Sequence, residues 1–238
     1  MATLDIIMTG YSGSPEIIKM TENSIKSLRD SEGSENFNLI YLESNLDSNH
    51  KYDVDVQIHP DFPYHCNKYY NIGVQNCKSD FTAIVNNDTF FHKDWWTKMH
   101  EAFSKHNLDS ASPRSKVEQF GIVPRVEIRH RFTPSTKVVF GYQAVYTFCG
   151  WCWVIKKEVR DWLFPVDEQF SFYYNDNDVC MILEDKGCKH GFVAASLVDH
   201  YGQRSHKALH DRGEYKKHTF DLEKNFIDKW KHKIEKPS

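Results

Sequence analysis

Apolar and polar positions follow two different periods along the first hundred residues. Short apolar runs bounded by turn residues predict four strands, at residues 4–10, 37–44, 52–59 and 81–88. Segments with apolar residues on one helical face predict three helices, at residues 15–32, 67–76 and 94–106. The first helix has a strong start signal in Ser14-Pro15 and should end before Gly33. This order predicts an α/β fold with a mostly parallel central sheet and helices on both faces.

Polar residues stand at the ends of three predicted strands. These are Thr9-Gly10, Glu43-Ser44 and Asn86-Asn87-Asp88, and the last group interrupts an apolar run that resumes at once. Parallel strands bring their carboxyl ends to one edge of a sheet, where such folds bind ligands. The pattern therefore predicts a ligand-binding rim made of these three strand ends.

The second half begins with a basic segment and then returns to regular patterns. Residues 113–137 contain six basic residues against two acidic ones and suggest a hairpin outside the sheet. Further on, "VVFGYQAVYTFCGWCWVIKKEV" is strand-like, "NDNDVCMILEDKG" is typical of a helix that ends at glycine, and "HGFVAASLVDH" is typical of a strand. The last thirty residues predict a charged helix whose buried side carries Phe220, Phe226, Ile227 and Trp230.

Composition limits the classes of protein that fit. A chain of 238 residues with 40% hydrophobic and 14% aromatic residues can form one large domain with a substantial core. The net charge of −3 argues against polyanion binding by bulk charge, so any basic patch must be local. The chain has no apolar run of membrane-spanning length and no basic signal-peptide start. We therefore expect a cytoplasmic protein (in the host cytoplasm if viral), with its six cysteines reduced and mostly buried.

Four motifs, in order, carry a resemblance to a known family. They are the opening strand-loop-helix, "YNIGVQNCKSDFTAIVNND", "FCGWCWVIKKEV" and the long block "VDEQFSFYYNDNDVCMILEDKGCKHGFVAASLVDHYGQRS". Together they resemble the inverting glycosyltransferases of family 2, which have the GT-A fold and use nucleotide sugars. The resemblance implies a catalytic domain at 1–205, with a nucleotide-binding half at 1–100 and an acceptor and catalytic half at 101–205. Residues 206–238 would be a charged helical extension.

The resemblance implies a divalent cation that neutralises the diphosphate of the donor, which we expect to be a UDP-sugar. Asp88 matches the last acid of the family's Asp-x-Asp-type motif, whose first acid is here Asn86. His200 matches a position where some relatives supply a histidine ligand, which favours Mn²⁺ over Mg²⁺. Two plainer interpretations stay open: Asp88 as a turn or helix N-cap residue, and His200 as an ordinary strand-end histidine.

The same resemblance makes Asp176 the general base that deprotonates the acceptor hydroxyl. The neighbouring family acid is here Asn175, and the loss of one negative charge should make Asp176 easier to ionise. The alternative is that Asp176 caps the helix that it begins, with Asp178 adding favourable charge at the helix N-terminus.

Nucleotide-sugar contacts are implied at several positions near the predicted rim. These are Thr9, Gly10, Tyr11, Glu43, Asn71, Asn86, Asn87, Arg204 and Lys207. Gly73 should accompany Asn71 on the base-side helix. Glu43 also fits a solvated strand-end acid, and Arg204 and Lys207 also fit ordinary surface cations.

Acceptor-side contacts are implied at five positions, namely Trp151, Asn175, Arg125, Arg129 and Arg131. Basic residues interspersed with phenylalanines suggest a polyanionic acceptor, either an anionic glycan or DNA. Some viral relatives glycosylate hydroxymethylated DNA bases, and such a base would be flipped out of the duplex. A solvated basic hairpin is the plainer interpretation of the same segment.

Three other functions compete with glycosyl transfer. Cys149 and Cys152 form a Cys-x-x-Cys pair, as in thiol-disulfide oxidoreductases, although this pair lies inside an apolar run. A nucleotidyltransferase would need a basic, glycine-rich phosphate loop, and "TGYSGSPE" contains no basic residue. A non-catalytic protein that binds nucleotide sugars or nucleic acid would use the same sheet without turnover.

Overall fold

The computed structural model describes residues 4–32, 37–117, 135–144, 146–202 and 215–234, with side chains of the last helix described from Asp221 onward. Its nine strands are β1 Leu4–Gly10, β2 Phe37–Glu43, β3 Val56–Ile58, β4 Phe81–Asn86, β5 Thr89–Phe91, β6 Ser110–Arg114, β7 Val138–Phe140, β8 Cys152–Lys156 and β9 His190–His200. Its six helices are α1 Pro15–Glu32, α2 Cys66–Val74, α3 Trp95–His106, α4 Lys157–Leu163, α5 Asn175–Asp185 and α6 Tyr215–Ile234.

The strands form one sheet in the order β3-β2-β1-β4-β8-β6-β9-β5. Strands β3, β2, β1 and β4 are parallel to one another. Strand β8 is antiparallel to β4 and β6, and β6 is parallel to β9. The predicted α/β class is therefore confirmed, and the continuous parallel part of the sheet is the first half of the chain.

Helices cover both faces of the sheet, and the alternation of side chains in β1 explains why. Leu4, Ile6 and Met8 point into the core layer that includes α1 and α3. Ile7 points into the opposite layer, which includes α2, α4 and α5. A strand that is apolar on both faces must be covered on both faces. Helix α1 begins as predicted, with the Ile18 N–H donating to the Ser14 carbonyl at 3.0 Å.

Two short strands were not predicted, and both pair with β9. Strand β5 is only three residues long and is antiparallel to the end of β9. Strand β6 contains Pro113, and its register against β9 shifts between Pro113 and Arg114. Strand β7 pairs with the beginning of β9, so it shares an edge of β9 with β5. The predicted hairpin at 113–137 thus has flanks that both pair with β9, and its residues 118–134 lie outside the described residues.

The buried side of α6 differs in part from the prediction. Trp230 and Leu222 are buried, whereas Ile227 is 46% exposed, so the predicted burial of Ile227 is wrong. Residues 222, 226 and 230 follow a four-residue spacing and therefore share one helical face, while 227 lies about 100° away from 226. The side chain of Phe220 lies outside the described residues.

Within the described residues, no helix combines the length and the apolar character that crossing a bilayer requires.

Candidate active site at the strand ends

The three polar strand ends are neighbours in the sheet, as predicted. Thr9 pairs with Asn86, and Gly10 pairs with Glu43. The Ser44 N–H donates to the Gly10 carbonyl at 2.9 Å, which extends the pairing beyond β2. The carboxyl ends of β1, β2 and β4 therefore form one continuous rim.

Gly10 is required where it stands, because a side chain does not fit there. A Cβ atom at Gly10 would lie 2.4 Å from the Tyr41 hydroxyl oxygen and 2.8 Å from the Asn87 amide nitrogen. That Asn87 nitrogen donates to the Thr21 hydroxyl at 2.8 Å. Asn87 therefore ties the end of β4 to α1, and the nucleotide contact predicted for it remains a prediction.

The Glu43 carboxylate holds the loop that follows β1. It accepts hydrogen bonds from the Ser12 N–H at 3.0 Å, from the Ser12 hydroxyl and from the Asn45 N–H at 2.8 Å. Glu43 is buried, so its interpretation as a solvated acid is wrong. In the same loop the Tyr11 ring is 41% exposed and therefore accessible to a planar ligand.

Asp88 and His200 meet at the rim. Asp88 lies in the turn between β4 and β5, and the pairing of Thr89 with His200 brings the end of β9 alongside. Asp88 Oδ1 lies 3.3 Å from His200 Nε2, and Asn86 Nδ2 lies 3.4 Å from the same nitrogen. The N-cap interpretation of Asp88 is wrong, because Asp94 is the N-cap residue of α3. Asp88 does lie in a turn and His200 does lie at a strand end, as the plainer interpretations expected. Their side chains face each other in these positions.

The donor set at this point fits a catalytic cation better than a structural one. Among the described residues, no three or more His, Cys, Asp or Glu side chains form a metal-binding cluster. A structural zinc would require four protein ligands. One carboxylate and one imidazole instead suit a hard or borderline cation that takes its remaining ligands from phosphate oxygens and water. Asp88 and His200 would hold such a cation, with the Asn86 amide adjacent.

Trp151 lies against this pair of residues. Its ring stacks on the His200 ring, with centroids 5.1 Å apart and planes 8° apart. The Trp151 carbonyl accepts from the Asn86 N–H at 2.9 Å, which fixes the residue at the end of β4. In the described part of the chain, its buried indole N–H has no hydrogen-bond acceptor. Trp151 was predicted on the acceptor side; the structure shows its ring against His200, and the acceptor contact stays a prediction.

Gly150 connects this pair to Asp176. A Cβ atom at Gly150 would lie 2.6 Å from Asp176 Oδ2, so the carboxylate is packed directly against the Gly150 backbone. Gly150 and Trp151 are consecutive, and consecutive Cα atoms are about 3.8 Å apart. One dipeptide therefore contacts Asp176 with its first residue and His200 with its second. Sequence reasoning missed this role of Gly150, because the contact joins residues that are distant in the chain.

Asp176 is the second residue of α5. Its Oδ1 accepts from the Asn177 N–H at 2.9 Å. The N-cap residue is Tyr174, so the interpretation of Asp176 as the cap is wrong. Burial raises the pKa of the Asp176 carboxyl above its ordinary value. The expectation of easier ionisation considered charge alone, and burial acts in the opposite direction.

Two asparagines predicted at the site, Asn71 and Asn175, make hydrogen bonds within the protein next to it. Asn175 Nδ2 donates to the Cys66 sulfur at 3.2 Å, and burial raises the pKa of the Cys66 thiol to about 11. The Asn71 amide accepts from the Val166 N–H at 2.8 Å and donates to the Val166 carbonyl at 3.0 Å. Asn71 therefore anchors the segment before α5, and the nucleotide contact predicted for it stays a prediction. Gly73 lets α2 pack closely against Ile7. A Cβ atom at Gly73 would lie 2.7 Å from the Ile7 side chain.

The predicted basic surface is smaller than the sequence suggests. Arg114 is buried, and its Nε donates to the Ala194 carbonyl at 2.8 Å, because β6 lies inside the sheet. Five further predicted contact residues lie outside the described residues, namely Arg125, Arg129, Arg131, Arg204 and Lys207.

The Cys-x-x-Cys pair does not have the properties of a redox site. Cys149 and Cys152 are buried thiols, and all six cysteines are described and form no disulfide. Burial raises the pKa of Cys152 well above its ordinary value. A redox cysteine needs an accessible, stabilised thiolate, so this environment argues against the oxidoreductase alternative.

A family model described as Glycosyl transferase family 2 matches residues 64–164. The matched segment includes Asn86, Asp88, Gly150 and Trp151, and it ends before Asp176 and His200. Residues 64–164 are therefore similar to the family 2 glycosyltransferases. The predicted family resemblance and enzyme class are thereby confirmed. No curated protein matches the chain by sequence.

Solved structures of glycosyltransferases show the same fold. The chain is similar to residues 1–349 of S. aureus TarS, with a TM-score of 0.62, 9% identity, and coverage of 82% of this chain and 59% of that one. It is also similar to GalNAc-T7, solved with UDP, GalNAc and Mn²⁺, with a TM-score of 0.66, 11% identity, and coverage of 84% and 43%. The chain thus spans less than two thirds of either protein's chain. The predicted GT-A fold is thereby confirmed.

Proposed function

We propose that this chain transfers a sugar from a nucleoside diphosphate sugar, with UDP as the expected nucleotide, to an acceptor hydroxyl with inversion. Asp176 is the general base, and Asp88 and His200 hold a divalent cation, for which Mn²⁺ is the first choice. Thr9, Gly10 and Tyr11 line the nucleotide side. The expected cellular location, the cytoplasm, is part of the same proposal.

The contacts of the consecutive residues Gly150 and Trp151 support this proposal most strongly. Single displacement needs a base on one face of the sugar and the leaving diphosphate on the other. Gly150 packs against the Asp176 carboxylate, and Trp151 stacks on His200, which lies 3.3 Å from Asp88. The two groups that the reaction requires are therefore separated by one peptide unit and the Trp151 side chain.

The chemistry at Asp176 follows from its burial. The acceptor hydroxyl gives its proton to the Asp176 carboxylate while its oxygen bonds to the anomeric carbon. The bond from that carbon to the diphosphate oxygen breaks, and the electron pair leaves with the diphosphate. Because burial raises the pKa of Asp176, its carboxylate is a stronger proton acceptor than an exposed aspartate.

A divalent cation, when bound, supplies positive charge that offsets the developing charge on the leaving diphosphate. The neighbouring side chains have supporting functions. Asn86 lies 3.4 Å from His200, and the stacked Trp151 ring fixes the plane of the imidazole. Such supporting contacts orient ligand side chains, and their loss typically weakens metal sites by 10–100-fold.

The test separates binding from turnover. A thermal-shift screen of nucleotide sugars with and without Mn²⁺ first identifies the donor. Asp176→Asn should then lower turnover of that donor by roughly 10²–10⁴-fold, the usual contribution of a general base. Calorimetry should give the same UDP and Mn²⁺ affinities for the variant. Asp185→Asn is the matched control, because it makes the same change at an exposed position near the other end of α5.

Three outcomes would contradict the proposal. Donor binding without turnover by the wild-type chain would favour a non-catalytic nucleotide-sugar binder. Full activity of Asp176→Asn would remove that residue as the base. Failure of every nucleotide sugar to stabilise the chain would leave the fold without the proposed donor.

For the acceptor, we propose a polyanion, either an anionic glycan or DNA with hydroxymethylated bases. The argument rests on the arginines of the 113–137 segment, without Arg114, which is buried. Binding to a DNA duplex should weaken with rising salt. The replacement that should abolish it is the triple alanine change at Arg125, Arg129 and Arg131. The charge-matched control is the triple alanine change at the exposed residues Lys19, Lys26 and Lys105. Equal binding by both variants would remove DNA as the acceptor.

A further inference from the structure

The backbone that starts α5 has an unusual conformation. Tyr174, the residue before the helix, has φ 62° and ψ 2°, in the left-handed region that non-glycine residues rarely adopt. No side chain caps the helix at this position. The Tyr174 carbonyl accepts the first helical hydrogen bond, from the Asp178 N–H at 2.8 Å. Asp176 lies between these two residues, so its direction depends on how Tyr174 is held.

The C-terminal helix α6 packs against Tyr174. The Phe226 ring stacks on the Tyr174 ring, with centroids 5.4 Å apart and planes 29° apart. Phe226 also makes an edge contact with Phe170, with centroids 6.5 Å apart. A left-handed non-glycine residue persists only where its surroundings hold it, and Phe226 is part of those surroundings.

Helix α6 also binds the first turn of α5 through Asp178. Trp230 Nε1 donates to Asp178 Oδ1 at 2.7 Å, and Lys229 Nζ lies 2.9 Å from the same carboxylate. The Lys229 ammonium also lies 2.8 Å from Asp167, in the segment that precedes α5. Asp178 is completely buried, and a buried carboxylate is tolerated only with such partners. Lys229 therefore joins the two chain segments on either side of Tyr174.

We propose that α6 is a working part of the active site, in which Phe226, Lys229 and Trp230 are positioning residues that hold the first turn of α5 and thereby aim Asp176. The proposal rests on the proposed function of Asp176 as the base. It changes the meaning of the C-terminal segment, from a charged extension to a support of the catalytic carboxylate.

The contacts differ from those of a helix that only covers a surface. The aromatic, indole N–H and charged contacts of α6 fall on residues 167–178, around the turn that carries Asp176. At the far end of α5, α6 contributes an exposed ion pair between Lys233 and Asp185. Exposed pairs of this kind contribute little. This difference supplies a control on the same two helices.

The experiment uses the full chain with three variants: Trp230→Phe, which keeps a ring but removes the N–H donor, Lys229→Met, which removes the charge, and Asp185→Asn as the control, which breaks the pair with Lys233 without changing α6. The measurements are donor turnover, UDP and Mn²⁺ affinity by calorimetry, and amide hydrogen exchange. For Trp230→Phe and Lys229→Met we expect kcat to fall roughly tenfold to a hundredfold, the scale of a small misplacement of a catalytic group. Donor affinity should stay within about twofold, because the described contacts of α6 fall on residues 167–178 and on Asp185, away from the rim.

Hydrogen exchange gives a readout that does not depend on turnover. In the two test variants the amides of residues 175–179 should exchange faster, while those of β1 and β4 should be unchanged. Asp185→Asn should match the wild-type chain in every measurement.

Two results would overturn the proposal. Unchanged kcat and unchanged exchange at 175–179 in both test variants would show that α6 does not hold the turn. Faster exchange throughout the sheet with weaker UDP binding would show that α6 stabilises the whole fold instead. If Asp176→Asn proves fully active, the proposed function fails, and local exchange at 175–179 still reports whether α6 holds this turn.

Discussion

The rim and the start of α5 place their functional side chains by different means. At the rim, Thr9, Glu43 and Asn86 follow strands that are adjacent in the sheet, so backbone pairing alone brings them together. At α5, Asp176 is held by Gly150, by the conformation of Tyr174 and by contacts from α6. Parallel pairing is part of the core, whereas the turn depends on a few side-chain contacts. The comparison teaches that donor binding should tolerate local change better than catalysis does.

The most severe test of the rim is removal of the Asp88 carboxylate. Asp88→Asn keeps the size of the side chain and removes the charge that would hold the cation. Cation stabilisation of a leaving group is worth several kcal/mol, so kcat/KM should fall by at least about a hundredfold. Calorimetry should also show weaker Mn²⁺ binding.

The control for this change is Asp94→Asn, because Asp94 is in a left-handed conformation that asparagine tolerates well. That variant should behave as the wild-type chain. Wild-type Mn²⁺ affinity in Asp88→Asn would contradict the cation site.

Two glycine substitutions should separate the two regions, because one should change kcat and the other UDP affinity. In Gly150→Ala the new methyl group would lie 2.6 Å from Asp176 Oδ2 and must displace the carboxylate. We expect kcat to fall roughly tenfold to a hundredfold with unchanged UDP affinity. In Gly13→Ala the methyl group would meet the exposed Tyr11 ring, so UDP affinity should change and kcat should not. Steady-state kinetics with calorimetry checks both, and the reverse pattern would contradict the assignment of the two sides.

Mild acid should lower the free energy of unfolding through His190, at the start of β9. Its Nδ1 lies 2.8 Å from the Ser110 hydroxyl and its Nε2 lies 3.0 Å from the Thr147 carbonyl, and burial lowers the pKa of His190 to about 4. The unfolded chain binds this proton below about pH 6.5, while the folded chain binds it only near pH 4. The contribution of neutral His190 to the free energy of unfolding is therefore complete above pH 6.5. It is lost as the pH falls, by about 3 kcal/mol at pH 4.

Urea unfolding at pH 7 and at pH 4.5 measures this loss. The His190→Gln variant should be less stable at pH 7 and should lose less stability on acidification. An identical pH dependence in the variant and the wild-type chain would show that His190 does not carry the effect.

The smallest expected effect concerns the tie between the rim and α1. Asn87→Ala removes the hydrogen bond to the Thr21 hydroxyl, which should cost about 1 kcal/mol. The midpoint of thermal unfolding should fall by about 2–4 °C, with kcat little changed. Asn23→Ala, at an exposed position of α1, is the control and should leave the midpoint unchanged. A large loss of UDP affinity in Asn87→Ala would give Asn87 the direct nucleotide contact expected from the sequence.

Local patterns were sufficient to predict most of the first hundred residues. The Ser14-Pro15 start and the apolar face of α1 are signals contained in one segment, and the structure confirms them. The rim also follows from local patterns, because the order of elements determines which strand ends meet. Strand β5 was missed because its three residues are too few to show a period, although its pairing with β9 brings His200 to Asp88.

The remaining differences arise from contacts between distant residues. The burial of Arg114 depends on β6 lying beside β9, and the contact of Gly150 with Asp176 joins two separate motifs. Glu43 was correctly placed at the rim, but its hydrogen bonds to the Ser12 loop could not be read from its own surroundings in the sequence. The docking of Trp230 on Asp178 likewise joins two helices that each have a complete pattern of their own.

The most direct test of the account is a crystal structure of the chain with Mn²⁺ and an unreactive analogue of the UDP-sugar selected by the thermal-shift screen. The account predicts a cation on Asp88 and His200, the sugar beside Gly150 and Trp151, and the Asp176 carboxylate on the face of the sugar opposite the diphosphate. A sugar bound away from Asp176, or an Asp176 carboxylate on the same face as the diphosphate, would contradict it.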